Sequence, residues 1–553
     1  MKYSKLCDYY ERLEGTTKNL EMRDIVAELL EETSEEDIEL ITLASMGRIF
    51  PASVNKDIGI AGKLMQDIIS RAYGVSEDEV VEKFKETGDL GKAAEHFCGN
   101  RRQRSLMEKE LTVRNVYENL RELPETTGKG SEKRKEGLVK ELLVSAEPVE
   151  ARYIVRTTLQ EMRIGVGEGT VRDAIAEAFE VPAEKVENAF FKLTNYGEVA
   201  RIAKKEGGKG LEDVGVEVGR PLSVMLAEIS EGLEQAMDEY ENTALEVKLD
   251  GFRGQIHKEG DDITLFSRRL EDKTRQFPEV VEWARECLKA EECIVDCEIV
   301  AVDEDGNPLP FQNLSKRIER KYNIKETRRE IPVQVNCFDL FYVEGESFME
   351  KSLKERWKRL EEIVEEKDGR FKLVEHIETG DMDKANQFYQ KALKQSQEGI
   401  MVKNLDARYQ PGKRVGYWQK VKETMEPLDL VIVEGIWGEG KRSNWISSLM
   451  LAVRNPDTGE FLKTGKMATG MTEEQLEEIT EKLQELILKE EGRRIMVKPE
   501  IVVEVGYEEI QESPKYETGY ALRFPRLLRF RSNKGPKDAD TMERLKNLYD
   551  KQN

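Results

Sequence analysis

The sequence predicts a multidomain protein that combines an all-α domain, an α/β domain and a small β-barrel domain. Residues 1–215 repeat apolar side chains at intervals of three and four, as in MRDIVAELLEE and VRDAIAEAFE, which is typical of packed helices. Around Thr243 the period changes to two, and after Pro427 a second strand-rich run begins, which is typical of strands. The predicted domains are 1–215, 216–424 and 425–553, a division that suits the 553 residues of the chain at ~150 residues per domain.

The middle and last regions alternate strand and helix patterns. LEVKLDGFRGQIHK, a polar EGDD turn and DITLFSRR predict a β-hairpin. Further strands are predicted at CIVDCEIVAV, PVQVNCFDLFYV, GIMVKN and YWQKVK, with a helix at SLKERWKRLEEIVEE among them. The last region has predicted strands at LDLVIVEGIWG, SSLMLAVRN and IVVEVGYEEIQ, one helix over TEEQLEEITEKLQELILKE, and a short helix from Asp538.

The composition predicts a soluble cytoplasmic protein. Charged residues make up 36% of the chain, which is typical of a globular protein with a charged surface. The start lacks the apolar core of a signal peptide, and no stretch approaches the ~18 uninterrupted apolar residues of a membrane helix. The net charge of −23 does not exclude a nucleic-acid partner, because binding depends on local potential. Basic clusters such as RFPRLLRFR at 523–531 are present.

The cysteines argue against a structural zinc site. None of the six forms a CxxC pair, and the chain has three histidines. Cys293 and Cys297 share one face of a predicted strand. They are therefore interpreted as core cysteines in a reducing compartment.

Lys248, in the stretch EVKLDG, is the candidate nucleophile. In a strand, Glu246, Lys248 and Asp250 would share one face. A lysine that attacks phosphorus must be a free amine, and neighbouring cations would lower its pKa and also bind phosphate. Alone, K-x-D-G also fits a strand that leads into a turn with a surface lysine. The candidate neighbouring cations are Arg253, Arg268 and Lys420.

Other candidate side chains follow Lys248 in a fixed order. Glu298 and Glu398 are separated carboxylates that suit Mg²⁺ near phosphate oxygens, and Phe338 can stack on a purine. Lys420 and Lys422 are two residues apart, so both leave one strand face and can reach one polyphosphate. Each has an ordinary alternative, a core aromatic or an exposed charge, but the full ordered set is hard to obtain by chance. In chain order the set is Arg268, Glu298, Phe338, Glu398, Lys420 and Lys422.

These motifs resemble those of the covalent nucleotidyltransferase superfamily, and specifically the archaeal-type ATP-dependent DNA ligases. The matching elements are KLDG at 248–251, the SRR and DCE elements, FDLFY, EGIMVK, the K-V-K pair, and ALRFPRLLRFRSNKGPKDAD as the last motif. Upstream, residues 162–176 and 195–204 resemble the helical DNA-binding domain of the family. The resemblance covers nearly the whole chain.

The resemblance implies an ATP-dependent DNA ligase that seals nicks in duplex DNA, in replication, repair and recombination, through AMP bound to Lys248. It implies a helical DNA-binding domain, an adenylation domain and an OB-fold domain, with ATP and Mg²⁺ as cofactors. Glu298 and Glu398 would hold the metal. The residues implied at the ATP site are Glu246, Arg253, Arg268, Glu298, Phe338, Arg414, Lys420 and Lys422, with Arg531 and Lys534 orienting pyrophosphate.

The last motif departs from the family at one position. The family usually has R-x-D-K, whereas this chain has Arg531-Ser-Asn533-Lys534. Asparagine keeps hydrogen bonding but lacks the negative charge.

The expected partner is nicked double-stranded DNA, bound by a monomer. A sliding clamp is a second expected partner, because Gln103, Leu106 and Met107 fit the outline of a short clamp-binding peptide. A loop that packs onto its own domain is the alternative for this segment. An RNA ligase or a capping guanylyltransferase would share the lysine motif, and the long helical region favours the duplex-DNA enzyme. The missing four-cysteine site disfavours an NAD-dependent ligase, and the intact lysine and glutamate set argues against an inactive DNA-binding scaffold.

Overall fold

The structure is a computed structural model in which the chain forms two compact units, Met1–Val421 and Lys422–Asn553. The first unit contains the helical region and the mixed region. The domain boundaries after residues 215 and 424 stay predictions. The structure describes all residues except 52, 55, 102–109, 319, 321–322, 396, 413–414, 423–424, 439–441, 443 and 553.

The first two hundred residues form helices, as the three-to-four periodicity predicts. The apolar side of each helix faces one shared core, which runs from Tyr3 to Leu211. The helices are α1 Tyr3–Glu14, α2 Asn19–Glu32, α3 Ile38–Ser45, α4 Gly62–Tyr73, α5 Glu77–Thr87, α6 Leu90–Gly99, α7 Val113–Glu122, α8 Ser131–Ser145, α9 Pro148–Thr158, α10 Glu168–Ala178, α11 Ala183–Leu193 and α12 Tyr196–Glu212.

Arg156 of α9 forms a buried ion-pair cluster in this helical region. Its guanidinium lies 2.6 Å from the carboxylate of Asp89 and 2.9 Å from that of Glu14. Burial alone would raise the pKa of Glu14, but the hydrogen bonds and charge of Arg156, together with the contacts of Tyr153 and Arg152, outweigh burial and lower this pKa to about 2. A lowered folded-state pKa stabilises the protein above the unfolded-state pKa, and this stabilisation is lost as the pH falls towards the folded-state value.

We therefore expect Glu14→Gln to lower the free energy of unfolding by about 2 kcal/mol at neutral pH. The difference from the wild type should shrink between about pH 5 and about pH 3, because the unfolded wild-type chain takes up a proton there. Urea unfolding of both proteins over this pH range measures the effect. Glu35→Gln, at an exposed position, is the control, and a difference that does not change with pH would contradict the prediction.

The mixed region contains two sheets with helices around them. The first sheet runs in the order β1-β11-β10-β2-β9, and the second in the order β4-β3-β5-β6-β7, with β8 on β6. The strands are β1 Glu228–Ile229, β2 Thr243–Lys248, β3 Phe252–Glu259, β4 Asp262–Ser267, β5 Glu292–Ala301, β6 Val333–Val343, β7 Glu346–Ser347, β8 Phe371–Leu373, β9 His376–Glu378, β10 Gly399–Asn404 and β11 Trp418–Lys422. The helices are α13 Leu233–Asp238, α14 Pro278–Cys287, α15 Phe311–Ile318, α16 Ile324–Glu330, α17 Leu353–Ile363 and α18 Met382–Lys394.

The predicted hairpin at LEVKLDGFRGQIHK is only partly correct. β3 and β4 form a hairpin, but β2 pairs with β9 and β10 in the other sheet. The sequence predicted that Asp250 would share one strand face with Glu246 and Lys248. This prediction is wrong, because β2 ends at Lys248 and Asp250 lies outside the strand. The chain crosses between sheets at 249–251, where a Cβ on Gly251 would come within 2.5 Å of the carbonyl oxygen of Ile299. Glycine permits this close approach.

The second unit is built on a sheet with the order β14-β13-β12-β16-β15, in which β17 also pairs with β12 and β20 pairs with β17. β18 and β19 form a separate hairpin. The strands are β12 Leu428–Trp437, β13 Ile446–Arg454, β14 Phe461–Met467, β15 Ile487–Glu491, β16 Arg494–Val497, β17 Val502–Gly506, β18 Glu509–Glu512, β19 Tyr520–Arg523 and β20 Arg526–Phe530, and the helices are α19 Glu473–Gln484 and α20 Met542–Gln552.

Two predictions for this unit are wrong in extent. The helix predicted over TEEQLEEITEKLQELILKE ends at Gln484, and its last residues form β15, which pairs with β16. The single strand predicted at IVVEVGYEEIQ is two strands, β17 and β18. In both places strand pairing decides the structure: β15 pairs with β16, β17 with β12 and β20, and β18 with β19, and the local pattern does not report which strands pair.

The core positions of the cysteines are confirmed, since each of the six is buried and none takes part in a disulfide. In the part of the chain that the structure describes, no helix is long and apolar enough to cross a membrane.

Candidate functional site

Lys248 is the last residue of β2 and lies opposite Gly399, the first residue of β10. Its side-chain amine forms an ion pair with the carboxylate of Glu398. The backbone N–H of Glu398 donates to the carbonyl oxygen of Lys248 at 3.1 Å. Both side chains are about a fifth exposed, so the lysine that the carboxylate holds is not closed off from solvent.

A buried ion pair lies behind this lysine. The ammonium of Lys403 on β10 donates to the carboxylate of Glu246 on β2 at 2.7 Å. The same ammonium lies 4.3 Å from the ring centroid of Trp418 and 4.9 Å from that of Phe338. Burial raises the pKa of Glu246 to about 7, although the charge of Lys403 acts in the opposite direction. Lys403 is the last residue of the EGIMVK motif, but the sequence predicted no role for it, because nothing local indicates its partner.

Arg253 is fixed by several contacts at once. Its guanidinium forms an ion pair with the buried Asp296 at 2.6 Å and donates to the carbonyl oxygen of Met225 at 2.9 Å. It also donates to the hydroxyl of Tyr409 at 3.1 Å. Its central carbon lies 5.4 Å from the ring centroid of Phe338, within the range of cation–π attraction.

Glu298 lies on β5 directly opposite Arg253 on β3. Its side chain is half-buried. Burial raises the pKa of Glu298 to about 8, and the charges of Lys248 and Arg253 act to lower it. Glu298 and Glu398 are thus two carboxylates that both interact with Lys248. In the described part of the chain no group of three or more potential ligands forms a metal cluster.

The predicted cations lie at several places around the two-sheet region. Lys420 and Lys422 are half-buried residues of β11, on either side of the buried Val421, as the two-residue spacing predicts. Lys422 donates to Glu508 at 3.2 Å. Arg268 is exposed just after β4. Arg414 lies outside the described residues, and so do Gln103, Leu106 and Met107 of the predicted clamp-binding segment.

Arg531 and Lys534 lie in the second unit, where acidic residues of that unit hold them. Lys534 forms an ion pair with Asp429. Arg531 lies 3.4 Å from Asp429 and 3.3 Å from Glu504. Asn533 is exposed between them.

The structure therefore brings Glu246, Lys248, Glu298, Phe338 and Glu398 together with Arg253, although they are spread over 150 residues of the chain. Three further members of this group had no predicted role. Asp296 and Lys403 stand in the DCE and EGIMVK motifs, whereas Tyr409 lies outside every motif.

A helical domain, a two-sheet domain that carries this lysine site and a C-terminal sheet domain together make the architecture of a nucleotidyltransferase. Family models match in three consecutive parts: "DNA ligase N terminus" at 2–176, "ATP dependent DNA ligase domain" at 224–422 and "ATP dependent DNA ligase C terminal region" at 442–534. The chain belongs to the ATP-dependent DNA ligase family. It functions as an ATP-dependent DNA ligase, as the resemblance implied.

Relatives match along nearly their whole length. The chain is 46% identical to the DNA ligase of Nanoarchaeum equitans, with 100% of this chain and 99% of that protein covered. It is 44% identical to the DNA ligase of Thermococcus fumicolans, with 99% and 98% covered. The solved structure named "Pmar-Lig_PreS3" has the same overall fold, with a TM-score of 0.58, 16% identity, and 95% of this chain and 99% of that one covered.

Proposed function

We propose that this ligase seals nicks in duplex DNA with Lys248 as the residue that carries AMP. The position of Lys248 carries the proposal, since its side chain is about a fifth exposed, interacts with both Glu298 and Glu398, and stands at the end of β2, just before the crossing to β3 and Arg253. The Nζ atom attacks the α-phosphorus of ATP, a nitrogen–phosphorus bond forms, and the bond to the β-phosphate oxygen breaks as pyrophosphate leaves. AMP then passes to the 5′-phosphate at the nick, and the 3′-hydroxyl displaces it and closes the backbone.

The resting contact of Lys248 with Glu398 has a consequence for this first step. A carboxylate beside the amine favours the protonated form, which cannot attack phosphorus. Glu398 has to leave the amine, and the amine has to lose a proton, before the bond to phosphorus forms.

Glu298 and Glu398 fit a magnesium ion. Both are half-buried carboxylates beside the same lysine, and Mg²⁺ commonly takes one or two carboxylates together with phosphate oxygens and waters. The carboxylates of Glu298 and Glu398 are therefore enough to hold Mg²⁺, and no third acidic residue is needed. When bound, Mg²⁺ supplies charge stabilisation to the phosphate that is transferred.

We assign the remaining site residues by the part of ATP that they suit. Phe338 offers an aromatic face for the base, and Glu246 and Arg253 lie beside it. The cations suit the phosphates, and they are Arg268, Arg414, Lys420, Lys422, Arg531 and Lys534.

The helical domain, 1–215, would hold duplex DNA by its phosphates and minor groove, and 425–553 would form an OB-fold. The pairing of β12 supports the OB-fold, because this strand pairs with β13, β16 and β17. One long strand that serves two parts of a sheet is typical of small barrels. The monomeric state and the clamp contact stay predictions.

The test is incubation with ATP labelled at the α-phosphate and Mg²⁺, followed by denaturing electrophoresis. Label should stay on the protein and should move to the DNA when nicked duplex is added. Label that moves only to RNA ends would favour the RNA-ligase alternative, and no protein-bound label would refute the proposal.

The DNA contacts predict a steep salt dependence. The binding constant for nicked duplex should fall by about a thousandfold between about 50 and 200 mM salt, because phosphate contacts release counterions. Arg526→Gln, in the basic segment 523–531, should reduce the logarithmic slope by about one. Arg370→Gln, at an exposed position elsewhere, should leave the slope unchanged, and salt-independent binding would contradict the interface.

A further inference from the structure

Three consecutive residues, 223–225, join the helical domain to the loop that follows β10 and contains Tyr409 and Gly412. The backbone N–H of Ser223 donates to the carbonyl oxygen of Phe191, near the end of α11, at 3.0 Å. The carbonyl oxygen of Val224 accepts from the N–H of Gly412 at 2.9 Å. This short stretch of backbone therefore fixes both sides of the junction by hydrogen bonds.

Gly412 also packs directly on the helical domain. Its φ is +71°, and a Cβ at this position would overlap the ring of Phe191. Phe191 is itself buried in the helical core. The loop thus lies against the helical domain with no room for a methyl group, and only glycine combines this backbone angle with this approach.

The third residue of the stretch, Met225, contacts both Tyr409, which lies earlier in the same loop, and Arg253 on β3. Its N–H donates to the hydroxyl of Tyr409 at 2.8 Å, and its carbonyl oxygen accepts from Arg253 at 2.9 Å. The Tyr409 hydroxyl accepts a second hydrogen bond from Arg253 at 3.1 Å. Both Tyr409 and Met225 are buried, so the guanidinium meets two fixed acceptors.

We propose that Tyr409 is a positioning residue for Arg253 and that the contact of Gly412 with Phe191 holds Tyr409 in place. The helical domain then helps to set the nucleotide site, in addition to holding DNA. An arginine side chain has many rotamers, and ordering it before ATP arrives removes an entropic cost from binding. The inference rests on the proposed function, because it assigns Arg253 to the nucleotide.

The test measures the dissociation constant of ATP by calorimetry in magnesium buffer, on full-length protein that carries Lys248→Ala, so that no covalent step occurs. Tyr409→Phe removes only the hydroxyl, and Phe191→Ala removes the ring under Gly412. Tyr409→Phe should raise the dissociation constant about tenfold or more, the size expected for the loss of one hydrogen bond to a charged group, and Phe191→Ala, which acts through Tyr409, should raise it by up to the same factor. In an Arg253→Gln background neither should have a further effect, because both act through Arg253.

Matched variants separate positioning from general destabilisation. Phe190→Ala makes the same change one residue earlier on α11, where the ring is about equally buried, stacks on Tyr196 and lies 6.4 Å from the ring of Phe191 between centroids, and it should change ATP affinity much less than Phe191→Ala. Tyr117→Phe removes a buried hydroxyl in the helical core and should also have no effect. Equal effects of Phe190→Ala and Phe191→Ala, or additive effects with Arg253→Gln, would overturn the inference, since contact alone does not establish coupling.

The outcome can be told apart from failure of the proposed function. If the wild type labels itself with AMP but Tyr409→Phe and Phe191→Ala bind ATP as tightly as their parent, only the positioning role is wrong. If the wild type does not label itself, the proposed role of Lys248 as the carrier of AMP is wrong, whatever the ATP-binding measurements give.

Discussion

Lys248→Ala should abolish covalent labelling of the protein by α-labelled ATP. Alanine has no amine to form the bond to phosphorus, so the loss should be complete and not graded. The variant should still seal a nick whose 5′-phosphate already carries AMP, at a reduced rate, because the last step needs no bond between lysine and AMP. Denaturing electrophoresis of the labelled protein and of the DNA product measures the two steps separately.

Lys372→Ala is the matched control, because Lys372 is an exposed lysine of β8 in the same unit. It should label and seal like the wild type. Normal labelling of Lys248→Ala would show that another residue carries AMP. Loss of both steps in a folded variant would mean that Lys248 also holds the DNA-adenylate.

Asp339→Ala should give the largest loss of stability of the variants considered. Asp339 on β6 and Arg356 on α17 form an ion pair at 2.6 Å in which neither side chain is exposed. Removing the aspartate leaves the guanidinium buried with no carboxylate, next to the carbonyl oxygens of Lys351 and Ala407 and 5.7 Å from the ring centroid of Tyr409, among the residues that the structure describes. Breaking such a pair from one side costs about 3–5 kcal/mol, and urea unfolding measures it.

A surface pair on the same helix provides the comparison. Arg359 and Glu362 lie 2.7 Å apart with both side chains more than a third exposed. Glu362→Ala should cost no more than about 0.5 kcal/mol, because solvent screens the charges. Similar losses for Asp339→Ala and Glu362→Ala would show that burial does not set the cost.

Asp339→Ala should also weaken ATP binding, since Asp339 follows Phe338 on β6.

Local pattern predicted much of the fold because periodicity reports how each segment is buried. The three-to-four spacing before residue 215 holds in the structure, and the predicted strands β5 and β6 both form, although nearly every residue of these two strands is buried. The pattern failed at 487–491, where a helical spacing continues past the end of α19. Those residues pair with β16 instead, and a local signal contains no information about a strand that follows it in the chain.

The sequence by itself determined the family, the candidate nucleophile Lys248 and the order of the site residues, because each depends on residue type and spacing along the chain. Only the tertiary structure decided which residues meet. It separated β2 from β3 into different sheets, and it brought Lys403 to Glu246 and Tyr409 to Arg253 across more than 150 residues. Such contacts depend on how distant segments pack. A buried charge needs an oppositely charged or hydrogen-bonding partner, and the packing of the folded chain decides which residue that is.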